Sequence, residues 1–335
     1  MKRLFLCGIM TLALTQVACS SSTTGRMNVL DARAGAQGAP TYLGLPLRTG
    51  QLVLTEAPGA YSFAFELIPA KFYPFTHIAM IAIEDGQPWV YDISGEYKTT
   101  GLHSKLLANV HGGMRRTAFY EYVAPNLYAE VYDPPPGVDG EKMAAFARQK
   151  FAEGVEFDAF FDNADHSKLF CTELVNLAIT YAGGKPAIFV PIRDNDSLRL
   201  AMRWLDVPQT MALPAGEFAD PSRYVASLGQ FASRTEAYSY FEAKNEISRR
   251  FTKHQRLGFI FEMHSSGDIS TRPWVDGFMD RATHLFDDDK NPPEPGDPRI
   301  AMGVRKLADD MLGPMIEPGA EPAAEPANEP VSKNP

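Results

Sequence analysis

The chain has 335 residues, 45% hydrophobic and 22% charged, with a formal net charge of −9. That is ordinary globular usage and enough chain for a sizeable core, organised as one domain with elaborations or one domain plus a small second. The acidic balance argues against a nucleic-acid surface.

The N-terminus reads MKRLFLCGIMTLALTQVACSSSTTGR. Two positive charges, an apolar run from Leu4 to Leu14 and small residues before Cys19 have the three-part layout of a secretory signal over residues 1–18, too short and wrongly flanked for a spanning helix. Val17-Ala18-Cys19 resembles a bacterial lipobox, with Gln16 where an aliphatic residue is usual. The resemblance implies that Cys19 is lipidated and becomes the new N-terminus. Ser20 after it implies an outer-membrane lipoprotein facing the periplasm, in the cell envelope. Loss of Lys2 and Arg3 with the signal takes the charge to −11. Residues 19–45 then read as a lipid-anchored linker, rich in Ser, Thr, Gly and Ala up to about Ala39.

In chain order, GQLVLTE (50–56) predicts a first strand. THIAMIAIEDGQPWVYDIS (76–94) predicts a hairpin turning at Asp85-Gly86. TAFYEYV (117–123) and LYAEVYD (127–133) predict two more strands. Past Pro134, Met143, Phe146 and Phe151 keep helical spacing, predicting a helix over 139–154 that leaves at Gly154. A further helix starts at Cys171, carries Leu174, Leu177, Ala178 and Tyr181 on one side, and stops at Gly183-Gly184. Beyond Pro214 the pattern is mostly helical: Tyr240, Ile247 and Phe251 in one helix, Ile300, Val304, Leu307 and Met311 in the last, with HSSGDIS (264–270) as a flexible loop between helices. Glu-Pro recurs every four residues from Glu317 to Pro330, so 316–335 reads as a solvated tail. The class is α+β.

Of three cysteines, Cys7 leaves with the signal and Cys19 carries the lipid, so Cys171 has no partner. Such a residue is either a small core hydrophobe or a nucleophile. Its place in a first helical turn favours the thiolate and supplies backbone N–H groups for an oxyanion. A nucleophile also needs a base and something to orient that base. Of seven histidines, His77 opens the first hairpin strand, and Asp92, fifteen residues on, ends up beside it on the partner strand. Taken singly, His77 reads as a satisfied structural histidine and Asp92 as a strand-end cap or turn former. No HExxH or CxxC spacing suggests a metal centre and no GxSxG a serine nucleophile; no cofactor is expected.

FTHIAMIAIEDGQPWVYDI followed by FDAFFDNADHSKLFCTELV resembles the circularly permuted papain-like amidases, the YiiX and YaeF-like branch of the NlpC-type cysteine hydrolases. There the strand histidine precedes the helix cysteine, an order the geometry of a triad does not care about. The resemblance implies a permuted papain-like catalytic domain over 46–220, a small antiparallel sheet packed on helices, followed by a helical extension over 221–315. It implies Cys171 as nucleophile (Cys-Thr-Glu-Leu-Val for Cys-Ser-Glu-Leu-Val), His77 as base and Asp92 as the third residue. Phe170, Thr172 and Glu173 become oxyanion or cleft neighbours, and FDAFF (157–161) a packing and hydrogen-bonding element. VPIRDNDSLR and LPAGEF resemble the family's closing segments. Ala79, Phe170 and Asp92 depart from the glycine, tyrosine and glutamate usual at those places.

The expected activity is a thiol hydrolase cleaving an amide or ester, in cell-wall peptides or in N-acyl and lipid substrates, through a thioester. A thiol acyltransferase on lipids is the nearest competitor. A catalytically idle envelope-binding lipoprotein is the alternative from another class.

Overall fold

The structure, a computed structural model, describes residues 27–33, 40–97, 110–204, 207–252, 259–264 and 269–315. Cys19, the signal segment and the Glu-Pro tail lie outside the described residues.

The described chain begins with β1 (Asn28–Ala32), β2 (Leu52–Glu56), α1 (Ala60–Glu66), β3 (His77–Glu84), β4 (Gln87–Tyr97) and β5 (Val110–Ala118). It continues through α2 (Phe119–Val123), β6 (Tyr128–Tyr132), α3 (Gly140–Glu153), β7 (Glu156–Phe157), β8 (Lys168–Leu169) and α4 (Cys171–Tyr181). Then come β9 (Val190–Pro191), α5 (Asp196–Trp204), β10 (Met211–Ala212), β11 (Tyr224–Gly229) and α6 (Arg234–Thr252). A short pair β12 (Phe261–Met263) and β13 (Ile269–Thr271), then α7 (Pro273–Thr283) and α8 (Pro298–Leu312), complete it.

Nine strands form one sheet in the order β1-β11-β6-β2-β3-β4-β5-β7-β8. All neighbours are antiparallel except β7 with β8. The architecture is therefore α+β, as the sequence implies, but the sheet is large and mixed rather than small and antiparallel. It also takes strands from outside 46–220: β1 falls in the expected linker, and β11 lies past residue 220 between β1 and β6. YVASLG, the six residues of β11, are all buried, so this short run lacks the alternation that marks a half-exposed strand.

The sheet is covered on both faces. Leu52, Leu54, Ile78, Met80, Tyr91 and Ile93 pack with α3 and α4 through Met143, Ala147, Leu174, Val175, Ala178 and Ile179. On the other face Val53, Ala79, Ile81 and Val90 meet Phe119, Tyr122 and Val123 of α2. A separate apolar cluster joins α6, α7 and α8 and recruits Phe63 of α1 and Leu67 just after it, so the helical region is cored together with a helix from inside 46–220.

The β3–β4 hairpin turns at Asp85 (φ 49°) and Gly86 (φ 74°), the positive-φ pair of a type I′ turn. In α3, Asp139 caps the N-terminus by accepting from Glu141 N and Lys142 N, and Gly154 ends it left-handed. Three expectations need correction. TAFYEYV ends β5 and then forms α2, because Phe119, Tyr122 and Val123 bury one helical face. In α4 Tyr181 is exposed and Leu177 only half-buried, and the sheet-facing residues are Leu174, Val175, Ala178 and Ile179. HSSGDIS enters β13 at Ile269-Ser270, which pairs with β12, rather than lying between two helices, and its residues 265–268 lie outside the described residues.

Candidate active site

Met80 pairs with Tyr91, and the same register sets Asp92 opposite Ala79 with His77 two residues along the same face. The His77 Nε2 lies 2.9 Å from Asp92 Oδ2. On the other side β5 places Arg115 directly opposite Asp92, where its Nε and Nη2 donate to the two carboxylate oxygens at 3.2 and 2.5 Å. Asp92 is fully buried while 22% of the His77 side chain remains exposed. Burial opposes ionisation of Asp92, yet hydrogen bonds and charge from His77 and then Arg115 hold its carboxyl below the usual range.

Cys171 is the first residue of α4, which packs on β3 and β4. Phe170 before it has extended backbone (φ −116°, ψ 168°), so the chain turns into the helix there and the first-turn N–H groups have no intrahelical acceptor. Cys171 is half-buried and close enough to the imidazole to act on its protonation. Burial by itself would lower the His77 pKa. Its interactions with Cys171 and then Asp92 outweigh that burial and push the value up to about 10. The imidazole thus favours its protonated form beside the anionic Asp92. Cys171, His77 and Asp92, drawn from α4, β3 and β4, come together.

The three expected neighbours of Cys171 point inward. Phe170 is buried edge-on against Phe161 (5.4 Å between ring centres), and Thr172 is buried. Glu173 folds back so that Phe170 N donates to it at 3.4 Å, while His166 Nδ1 lies 2.6 Å from its other oxygen. Burial pushes the Glu173 carboxyl up to about 7 against the lowering effect of these two partners. His166 and Glu173 line a cavity of about 290 Å³ with Asn176, Leu177 and Phe189. In FDAFF, Asp158 accepts from Phe160 N and Asp162 N, and Phe161, at φ 55°, joins Phe65, Phe157 and Phe170.

Sequence reasoning missed three contributors. Arg115 lies two residues before the strand read over 117–123, and nothing in HGGMRRTA marks one arginine over the next. Tyr122 packs its ring 6.2 Å from that of His77, and burial and the Asp92 charge keep its hydroxyl protonated. Only the tertiary fold brings it there. His166, in the turn before β8, is the partner of Glu173.

Among the described residues, Glu236, His284 and Asp287 bring ligand-type atoms within 4.8 Å of one another. Glu236 and His284 line a larger cavity of about 490 Å³ in the helical region. Neither cavity is lined by Cys171, His77 or Asp92; the reactive groups meet at the end of β3.

No protein-family profile matches the chain, and no curated protein matches it. One solved structure does. The chain is similar to the crystal structure of metalloprotein YiiX from Escherichia coli O157:H7, at 16% identity and a TM-score of 0.41, over 53% of this chain and 95% of that one.

Proposed function

We propose that this protein is a thiol hydrolase of the permuted papain-like, NlpC-type kind, with Cys171 as nucleophile, His77 as acid and base, and Asp92 orienting His77. The observation that carries the reading is an imidazole held between a buried carboxylate 2.9 Å away and a cysteine at the first position of a helix. A half-buried thiol used only for packing has no need of that arrangement.

The thiolate adds to the carbonyl carbon of an amide or ester, and the carbonyl electrons move to oxygen, facing the N–H groups at the start of α4. Collapse expels the amine or alkoxide, which takes the proton from His77 and leaves a thioester on Cys171. Water, losing a proton to His77, attacks the thioester; the acid departs and the thiolate–imidazolium pair returns. Asp92, held by Arg115, keeps the ring oriented throughout.

The substrates that fit a lipid-anchored periplasmic enzyme are cell-wall peptide amides and N-acyl or lipid esters. The anchor is Cys19, and outer-membrane residence follows from the lipobox and Ser20. Incubation with p-nitrophenyl acetate, followed by mass spectrometry, tests the chemistry: an acetyl group on Cys171, absent in Cys171→Ala, is expected. Addition of an amine acceptor distinguishes hydrolysis from acyl transfer. No acylation of Cys171 in a folded protein would sink the reading. For the anchor, radiolabelled palmitate incorporated by the wild type and not by Cys19→Ala is the expected result.

A further inference from the structure

Three contacts converge on the residues that lead into His77. Phe75, two positions before it, adopts φ 74°, a left-handed backbone that a bulky residue holds only when its surroundings over-determine it. Its buried ring is held between Tyr128 of β6 (6.1 Å) and Phe241 of α6 (5.6 Å). Pro74 is pinned from another side: a Cβ on Gly216 would stand 2.8 Å from its carbonyl oxygen, so only glycine permits that approach.

Thr76 is fixed by hydrogen bonds that run back to the same helix. Its N–H donates to Thr55 O at 3.0 Å, and its hydroxyl lies 3.1 Å from Ser62 Oγ. Ser62 spends its only proton on Glu56 Oε1 at 2.9 Å, so Thr76 is the donor in the Thr76–Ser62 bond. Glu56 in turn takes a hydrogen bond from Lys244 of α6, which also donates to Glu66 at 2.7 Å. All three side chains are buried. Glu56 Oε2 and Glu66 Oε1 have no partner as carboxylates. Burial and then the Glu56 charge raise the Glu66 carboxyl well above its ordinary value and favour its protonated form.

We propose that α6 belongs to the active centre: Phe241 through Phe75, and Lys244 through Glu56, Ser62 and Thr76, position the His77 imidazole against Cys171. This gives the region after residue 220 a task, and it rests on the thiol reading above. Neither Phe241 nor Lys244 touches the reacting atoms; both are positioning residues.

The test is the pH profile of Cys171 alkylation by iodoacetamide in the mature protein, resolved by peptide mass spectrometry, in wild type, His77→Ala, Thr76→Val, Thr76→Ser and Phe241→Leu. Thr76→Val keeps the shape and removes the relay proton; Thr76→Ser restores it. The expected result is labelling at pH 6 slowed about fivefold in Thr76→Val and Phe241→Leu, with Thr76→Ser within about twofold of wild type, as for a small misplacement of a catalytic group. Circular dichroism verifies that each variant is folded. Wild-type profiles in both Thr76→Val and Phe241→Leu, beside a slowed His77→Ala, overturn the positioning proposal and leave the catalytic reading standing. An unchanged profile in His77→Ala overturns both.

Discussion

Two buried charge clusters lie a few residues apart in this fold and differ in one respect. Around Asp92 the carboxylate is sealed, but its partner His77 is 22% exposed and Arg115 49%. Around Lys244 nothing is open: Lys244, Glu56 and Glu66 are all within 1% of full burial. The first cluster presents a titratable ring to a cysteine at the solvent edge; the second has no route to solvent and bonds α6 to β2 and α1. Desolvation makes the sealed cluster a poor source of net stability and a severe liability if one member is lost. The open one is where protonation can be used.

Substitutions sharpen that contrast, beginning with the largest effect. Cys171→Ala is expected to abolish acyl-enzyme formation altogether while leaving the melting temperature close to wild type, since the residue is half-buried and small. Lys244→Ala leaves the buried Glu56 and Glu66 without their cation and should cost about 3 kcal/mol in a denaturant titration, the penalty typical of a broken buried ion pair. Asp92→Asn should slow acylation by roughly ten- to a hundredfold, within the span usual for general acid–base contributions. It should also narrow the working pH range. A raised His77 contributes stability that is present below its ordinary value and lost as pH rises through about 10; a lowered Asp92 contributes stability that is lost as pH falls. Together they favour a neutral plateau, which the asparagine should truncate.

Glu173→Gln should have the smallest effect. Because burial raises this carboxyl to about 7, the folded state holds a proton there that the unfolded chain gives up, and stability declines as pH climbs towards neutrality. The glutamine removes that slope and can still accept from Phe170 N. Thermal melts at pH 5 and pH 8 should lie closer together in the variant than in the wild type.

What was readable in the sequence follows from range. The β3–β4 hairpin was legible because Asp85-Gly86 sits between two apolar runs, and α3 because Asp139 and Gly154 punctuate it. The His77–Asp92 pairing followed from that one turn. Cys171 at a helix start was visible from the apolar spacing after it. By contrast β11 is a uniformly buried run with no local signature, and its partners β1 and β6 lie far away in sequence. Aromatic content disguised α2 as a strand. Arg115 and Tyr122 reach the site through β5 and α2, whose positions depend on the whole sheet. The link from Lys244 to Glu56 spans 188 residues, beyond any pattern argument.

The central claim is that His77 holds Cys171 as its ion-pair partner, and the most direct measurement is the rate of Cys171 alkylation from pH 5 to pH 10 in wild type and His77→Ala. The account predicts rapid labelling well below the free-cysteine pKa of about 8.5, nearly flat across neutral pH, and loss of that low-pH limb in the variant. Labelling that is slow in the folded wild type and appears only on denaturation, with the same profile in His77→Ala, would contradict it and leave Cys171 as a packing residue.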